Sequence, residues 1–170
     1  CVEGDFAWLE HPYADGGLAA FSHRRLRELI KTPLLLGEQV RHLESMATLT
    51  LAGGTDMVRA DPDLDMGITG TLKRAHFAEA IGLQVQIHAP GPAQRHCVAA
   101  ISNAGLYELS MVGPTGGRFN APVYRSGYSD DLEDCASDGT FPVPTGPGLG
   151  VEYDWDLIGR SALRVVVIEV

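Results

Sequence analysis

Residues 56–90 read Asp56-Met-Val-Arg59-Ala60-Asp61-Pro62-Asp63-Leu-Asp65-Met-Gly67-Ile-Thr69-Gly70-Thr-Leu-Lys-Arg-Ala-His76-Phe-Ala-Glu-Ala-Ile81-Gly82-Leu83-Gln-Val-Gln-Ile87-His88-Ala-Pro90. The apolar run that begins at Asp56 stops on an acid, Asp61. A glycine-rich turn then opens a run of helical spacing from Thr69 to Ile81, closed by Gly82, and a second apolar run, Leu83 to Ile87, stops on His88. This is a strand-helix-strand unit. It carries ionisable groups at the carboxyl ends of neighbouring parallel strands, where an α/β barrel builds its active site. An Asp beside a His fixes the imidazole tautomer and raises its basicity, so the pair can serve as a general base. Taken alone, the same residues also fit a loop Asp and a strand-end His that satisfy local backbone groups.

The pattern recurs on either side. Phe6 to Leu9 is a short apolar run ended by Glu10-His11-Pro12, and Gly16-Gly17 leads into a segment, Leu18 to Ile30, with helical spacing and a basic outer face. Leu34-Leu35-Leu36 runs into Gly37-Glu38, and His42 to Leu51 is a second helical segment that stops at Gly53-Gly54. Beyond His88, a helical pattern from Ala93 to Ala104 precedes Leu106-Tyr107-Glu108. Five expected strands therefore end on Glu10, Glu38, Asp61, His88 and Glu108, at intervals of 20 to 28 residues, which is the size of a strand, a helix and two short loops.

From Gly113 onward Gly, Pro and Asp dominate, and helical periodicity returns only at Asp154 to Ile158. Residues 1–112 are accordingly expected to form part of a (β/α) barrel. Residues 113–170 are expected to be an extension that packs on the barrel or on a companion domain, with the β-branched residues from Leu163 to Val170 as an edge strand.

The 170 residues suffice for one medium domain with a real core. A net charge of −9 without a basic cluster beyond Arg24-Arg25-Leu-Arg27 argues against a nucleic-acid partner. Three cysteines without a CxxC pair argue against a disulfide scaffold or zinc knuckle, so a reducing, cytoplasmic setting is expected. No apolar run approaches the roughly 20 residues that cross a bilayer, and no membrane partner is expected. The chain opens on Cys1 and is almost at once within a strand, as in a piece of something longer.

Glu10 and Glu38, at successive strand ends, would face one barrel mouth and repel unless a cation sat between them. Oxygen donors from carboxylates, substrate and water suit Mg²⁺. Asp63 and Asp65 are read as solvated or helix-capping, with a ligand role as the alternative. Among the histidines, His23, His42, His76 and His96 read as surface or packing residues, whereas His11 at the rim could touch substrate. Ser45, Ser102 and Ser110 lack a nucleophile-elbow context, and Gly113-Pro-Thr-Gly116-Gly117 lacks the Lys of a phosphate loop.

The ordered set Trp8-Leu9-Glu10-His11-Pro12, Leu36-Gly37-Glu38, Asp61 with Gly67-Ile-Thr69-Gly70, His88 and Tyr107-Glu108 resembles the enolase superfamily. It is most similar to the mandelate racemase and muconate lactonizing branch, which includes acid-sugar dehydratases. The resemblance runs from Phe6 to Ile158 and implies the carboxyl-terminal part, about five βα units, of a TIM-type α/β barrel. It implies Glu10 and Glu38 as Mg²⁺ ligands, Asp61 and His88 as the acid/base dyad, and Glu108 as the hydrogen-bond partner of the enediolate. The implied reaction is abstraction of the proton α to a carboxylate, with a sugar acid as substrate and a 2-keto-3-deoxy acid as product. A racemase or epimerase is the alternative outcome, and a non-catalytic remnant is the alternative from a different class. The family's first metal ligand, its Lys-x-Lys motif and its capping domain have no counterpart in this sequence. The complete enzyme is expected to be a homo-oligomer.

Overall fold

The computed structural model describes residues 4–13, 18–110 and 123–167. Gly16-Gly17, the boundary at 112/113 and the Gly113–Gly117 segment lie outside these residues. The chain divides into two units, Cys1–Glu108 and Leu109–Val170.

The first unit is a four-stranded parallel sheet in the order β1-β2-β3-β4, with β1 at Leu9–Glu10, β2 at Leu34–Leu36, β3 at Met57–Ala60 and β4 at Val85–Ile87. Helices α1 (Ala20–Leu29), α2 (Leu43–Leu51), α3 (Gly67–Ala80) and α4 (Pro92–Ala100) follow the strands in turn. Each crossover returns the chain to the next position in the sheet, because parallel neighbours need a connection long enough to hold a helix.

The core follows from the two-residue alternation of strand side chains. Leu36, Val58, Ala60, Val85 and Ile87 pack with Met46 and Leu49 of α2, Ala75 and Ala78 of α3 and Cys97 of α4, all nearly free of solvent. Burying each of the larger side chains contributes about 1.5–3 kcal/mol. The opposite face of β3 and β4 carries Arg59 and Gln86, paired in register and both buried. Residues on that face lead to Asp61 and His88.

The fifth expected strand is reduced to a bridge. Ala104 pairs with Val85, and Gly105 N–H donates to the Val85 carbonyl at 2.9 Å. The next amide, Leu106 N–H, donates to the Gln86 side-chain Oε1 at 3.1 Å, so a side chain replaces the next rung of the ladder. A Cβ at Gly105 would run into the same Gln86 side chain. Glu108 therefore reaches the site from irregular chain, not from a strand end.

The second unit holds a bridge between Tyr124 and Tyr153, flanked by Arg125 N–H to Glu152 O at 2.8 Å and Asp154 N–H to Val123 O at 2.7 Å. Tyr128, Tyr124, Tyr153 and Trp155 make successive ring contacts, in that order, at 5.0–5.6 Å between centroids. Helix α5 (Trp155–Ser161) starts where Asp154 Oδ1 accepts Leu157 N–H at 2.9 Å, the usual way an acid satisfies an orphan amide of the first turn. The expected edge strand from Leu163 is not formed over residues 163–167. That stretch has no regular structure and its apolar side chains are exposed, and among the described residues no strand pairs with it. Residues 168–170 lie outside the described residues. No helix among the described residues is long and apolar enough to cross a membrane.

Candidate active site at the strand ends

Asp61 follows the last residue of β3, and His88 follows the last residue of β4. His88 N–H donates to the Ala60 carbonyl at 2.8 Å, which sets the two residues side by side. The imidazole Nδ1 then meets Asp61 Oδ2 at 2.7 Å. With Nδ1–H donating to the carboxylate, Nε2 is left to take a proton, and it lies 3.6 Å from Glu38 Oε1. The hydrogen bond to Asp61 raises the His88 pKa above the ordinary histidine value. Burial opposes this, and the charges of Glu38, Asp61 and Glu108 add to it.

Asp61 is itself held rigidly. Its Oδ1 accepts Asp63 N–H at 2.8 Å, and its own N–H donates to Asp65 Oδ2 at 2.9 Å. The chain turns tightly from Asp61 to α3, with Asp65 N–H on the Asp61 carbonyl at 2.8 Å. Gly70 is required at the start of that helix, since a Cβ there would lie 1.5 Å from the Asp65 carbonyl oxygen.

Asp65 corrects the expectation of a solvated or helix-capping acid. It is 5% exposed and pairs with Arg74 of α3 at 2.7 Å. The residue that takes the cap position of α3 is Met66, in the left-handed region at φ 65°, with no side-chain cap. Burial raises the Asp65 pKa, opposed by the Asp61 N–H and by Arg74, and burial likewise lowers that of Arg74. Asp63 is exposed, as expected, and accepts Gln94 Nε2 at 3.2 Å.

Glu38 follows Gly37, whose backbone stands at φ 142°. A Cβ at Gly37 would lie 2.4 Å from the Arg59 carbonyl, so only glycine lets β2 leave the sheet so close to β3. Arg74 reaches into the same corner, donating to the carbonyls of Gly37 and Arg59 at 2.9 Å each and of Val40 at 2.6 Å.

Glu10, His11 and Glu38 converge. One donor atom from each lies within 4.8 Å of the others, and His11 Nε2 stands 3.9 Å from Glu10 and 3.7 Å from Glu38. His11 is held at φ 44°, an uncommon conformation for a residue with a side chain. The Glu10 Oε1 and His11 Nε2 atoms are buried without a hydrogen-bond partner. Glu10 Oε1 stands 2.8 Å from Arg59 Nε, whereas His11 Nε2 has the two carboxylates near it, and a carboxylate-rich donor set with one imidazole is compatible with a divalent cation. Burial raises the Glu10 pKa; the charges of Arg59 and His11 oppose this and Glu108 reinforces it.

Glu108 Oε2 accepts Ala89 N–H at 2.9 Å and lies 2.9 Å from Arg59 Nη2. Arg59 also donates from Nη2 to Glu10 Oε2 at 3.0 Å. All six residues singled out in the sequence, Glu10, His11, Glu38, Asp61, His88 and Glu108, thus lie in one connected cluster, with His11 against the carboxylates and not apart from them. Arg59, Arg74, Asp65 and Gln86 support this cluster, a role the sequence does not show. Arg59 was legible as a lone charge inside the otherwise apolar Met57–Ala60 run, whereas nothing distinguishes Arg74 from an exposed helical arginine.

The model of the enolase C-terminal domain-like family matches residues 2–157. The D-galactonate dehydratase of Xanthomonas oryzae pv. oryzae is 33% identical over 144 residues, 81% of this chain and 36% of that protein. The D-galactonate dehydratase of Ralstonia nicotianae is 32% identical over 152 residues, 84% of this chain and 39% of that protein. Among solved structures, D-glucarate dehydratase from Agrobacterium tumefaciens, complexed with magnesium, is similar at a TM-score of 0.78 and 26% identity, covering 96% of this chain and 41% of that one. The chain spans about two fifths of the length of these relatives. The parallel sheet with its following helices is the α/β architecture of a carboxyl-terminal barrel portion, and the chain belongs to the enolase C-terminal domain-like family of the enolase superfamily.

Proposed function

We propose that this chain is the barrel portion of a Mg²⁺-dependent acid-sugar dehydratase, which removes the proton α to a carboxylate and expels a β-hydroxyl to give a 2-keto-3-deoxy acid. The observation that carries this reading is the His88–Asp61 pair at 2.7 Å with Nε2 facing Glu38, a supported base beside a carboxylate cluster. The dehydratase relatives and the magnesium-bound structural neighbour support it.

Glu10 and Glu38 would hold the cation, with His11 beside them. When bound, Mg²⁺ supplies a Lewis acid that neutralises the substrate carboxylate. His88 takes the α-proton on Nε2 while Asp61 keeps its Nδ1–H oriented and stabilises the imidazolium. The protonated His88 then returns a proton to the departing hydroxyl, so that one residue serves as base and acid. Glu108, whose Oε2 is held by Ala89 N–H, would serve the oxygen on which charge develops as a hydrogen-bond donor, through a carboxyl O–H.

Incubation with Mg²⁺ and sugar acids such as D-galactonate and D-glucarate in D₂O tests the reading. A keto-acid product that is lost in His88→Asn supports it. Deuterium at the α-carbon without loss of water would mean a racemase or epimerase instead. An absence of calorimetric heat with Mg²⁺ would favour a structural remnant.

A further inference from the structure

Arg59 lies on the inward face of β3, two residues before Asp61, and is 6% exposed. A buried guanidinium is costly unless its donors are met by well-placed acceptors. Here the guanidinium faces carboxylates from the two ends of the unit. Nη2 donates to Glu10 Oε2 at 3.0 Å and lies 2.9 Å from Glu108 Oε2. Nε approaches Glu10 Oε1 at 2.8 Å, in a direction too bent for a hydrogen bond. One planar group thus touches both oxygens of Glu10 and one of Glu108.

The guanidinium rests on a fixed base. The Arg59 carbonyl accepts Arg74 Nη1 at 2.9 Å, and Gln86 lies beside Arg59 in register on β4. Glu10, by contrast, ends a strand of two residues and has three rotatable side-chain bonds. Glu108 comes from irregular chain after α4. Glu10 thus has only that short strand to hold it, and Glu108 has no regular element of its own.

We propose that Arg59 is a positioning residue that holds Glu10 and Glu108 as one unit, aiming the first at a divalent cation and the second at the substrate. The fork geometry of arginine is what permits this, because lysine offers a single point charge and cannot span two carboxylates in one plane. The inference rests on the reading of Glu10 and Glu38 as cation ligands.

The test uses the full 170-residue chain, labelled with ¹³C at the glutamate carboxyl carbons, as wild type, Arg59→Lys, Arg59→Met and Glu108→Gln. Carboxyl signals are read without metal, and Mg²⁺ affinity is then measured by calorimetry. In Arg59→Met the Glu10 and Glu108 signals are expected to move together while that of Glu38 stays. Mg²⁺ affinity is expected to fall about 10- to 100-fold, as when the partner of a ligating carboxylate is removed. Arg59→Lys should recover part of the affinity. Glu108→Gln should move the Glu10 signal through Arg59, and this arm decides the matter even if Arg59→Met does not fold. A Glu10 signal indifferent to Glu108→Gln would overturn the proposal. So would equal Mg²⁺ affinity in wild type and Arg59→Met, a result that leaves the cation site standing. A wild-type chain with linked carboxyl signals and no Mg²⁺ uptake would overturn the cation reading and the aiming role built on it, leaving only the structural link between the two carboxylates.

Discussion

Arg74 and Asp65 form an ion pair at 2.7 Å with both side chains almost completely out of solvent. The pair lies beneath the site. Asp65 accepts the N–H of Asp61, and Arg74 holds the carbonyls of Gly37, Arg59 and Val40. Removing one partner of a buried pair leaves the other charge stranded, so Arg74→Met is expected to lower the unfolding free energy by about 3–5 kcal/mol. Urea denaturation checks this, and a loss below about 1 kcal/mol would mean that the pair is dispensable.

His88 gives the pH dependence. Its native pKa is raised, first by the Asp61 hydrogen bond, so the folded chain binds the proton more tightly than the unfolded one. The resulting stabilisation is complete below the ordinary histidine value of about 6.5 and is lost as pH rises through the raised native value. Asp61→Asn should move the His88 titration midpoint downward, as seen by NMR of the imidazole in the metal-free chain, and should flatten that part of the stability curve. An unmoved midpoint would show that Asp61 does not set the basicity of His88.

Gly37→Ala forces a Cβ against the Arg59 carbonyl at a backbone angle of 142°. The backbone must shift, at an expected cost of about 1–3 kcal/mol. Because Glu38 is the next residue, Mg²⁺ affinity should fall along with the melting temperature. A variant that melts earlier but takes up Mg²⁺ as before would separate the turn from the site.

Cys97 is buried in the core, and burial pushes its thiol up to about 11. At pH 8 only about one thiol in a thousand would be thiolate. Iodoacetamide should therefore modify Cys97 at a rate set by unfolding, rising in urea, while the more accessible Cys135 reacts in the native chain. Equal native rates would place Cys97 nearer the surface than its burial in the core allows.

What could be read from the sequence divides along physical lines. The strand ends were legible because an apolar run that stops on Glu10, Glu38, Asp61 or His88 leaves two signals at once, a change of polarity and a boundary. The helices were legible from their periodicity, and each falls within a few residues of its expected span. Periodicity says nothing of what a polar residue meets. Arg74 lies on a helix whose spacing is compatible with either a solvated or an inward face, and only the fold brings Gly37, Val40 and Asp65 to it. Asp65 escapes the sequence for the same reason, since its partner is in the following helix. The fifth strand fell short because the Gln86 side chain takes the Leu106 amide, a contact no propensity encodes. The strand expected from Leu163 was argued from residue type alone, and β-branched residues without a neighbour do not make a sheet.

The order β1-β2-β3-β4 means that every strand pairs with the one made just before or just after it. As a nascent chain lengthens, each new strand finds its partner already in place, and the loop to be closed is never longer than one crossover. The site residues follow the same order along the chain: Glu10 and Glu38 come first, the base with β4, and Glu108 last. Arg59 lies between Glu10 and Glu108 in chain order, so in a chain that folds as it is made it would have Glu10 as a counter-ion before Glu108 is added.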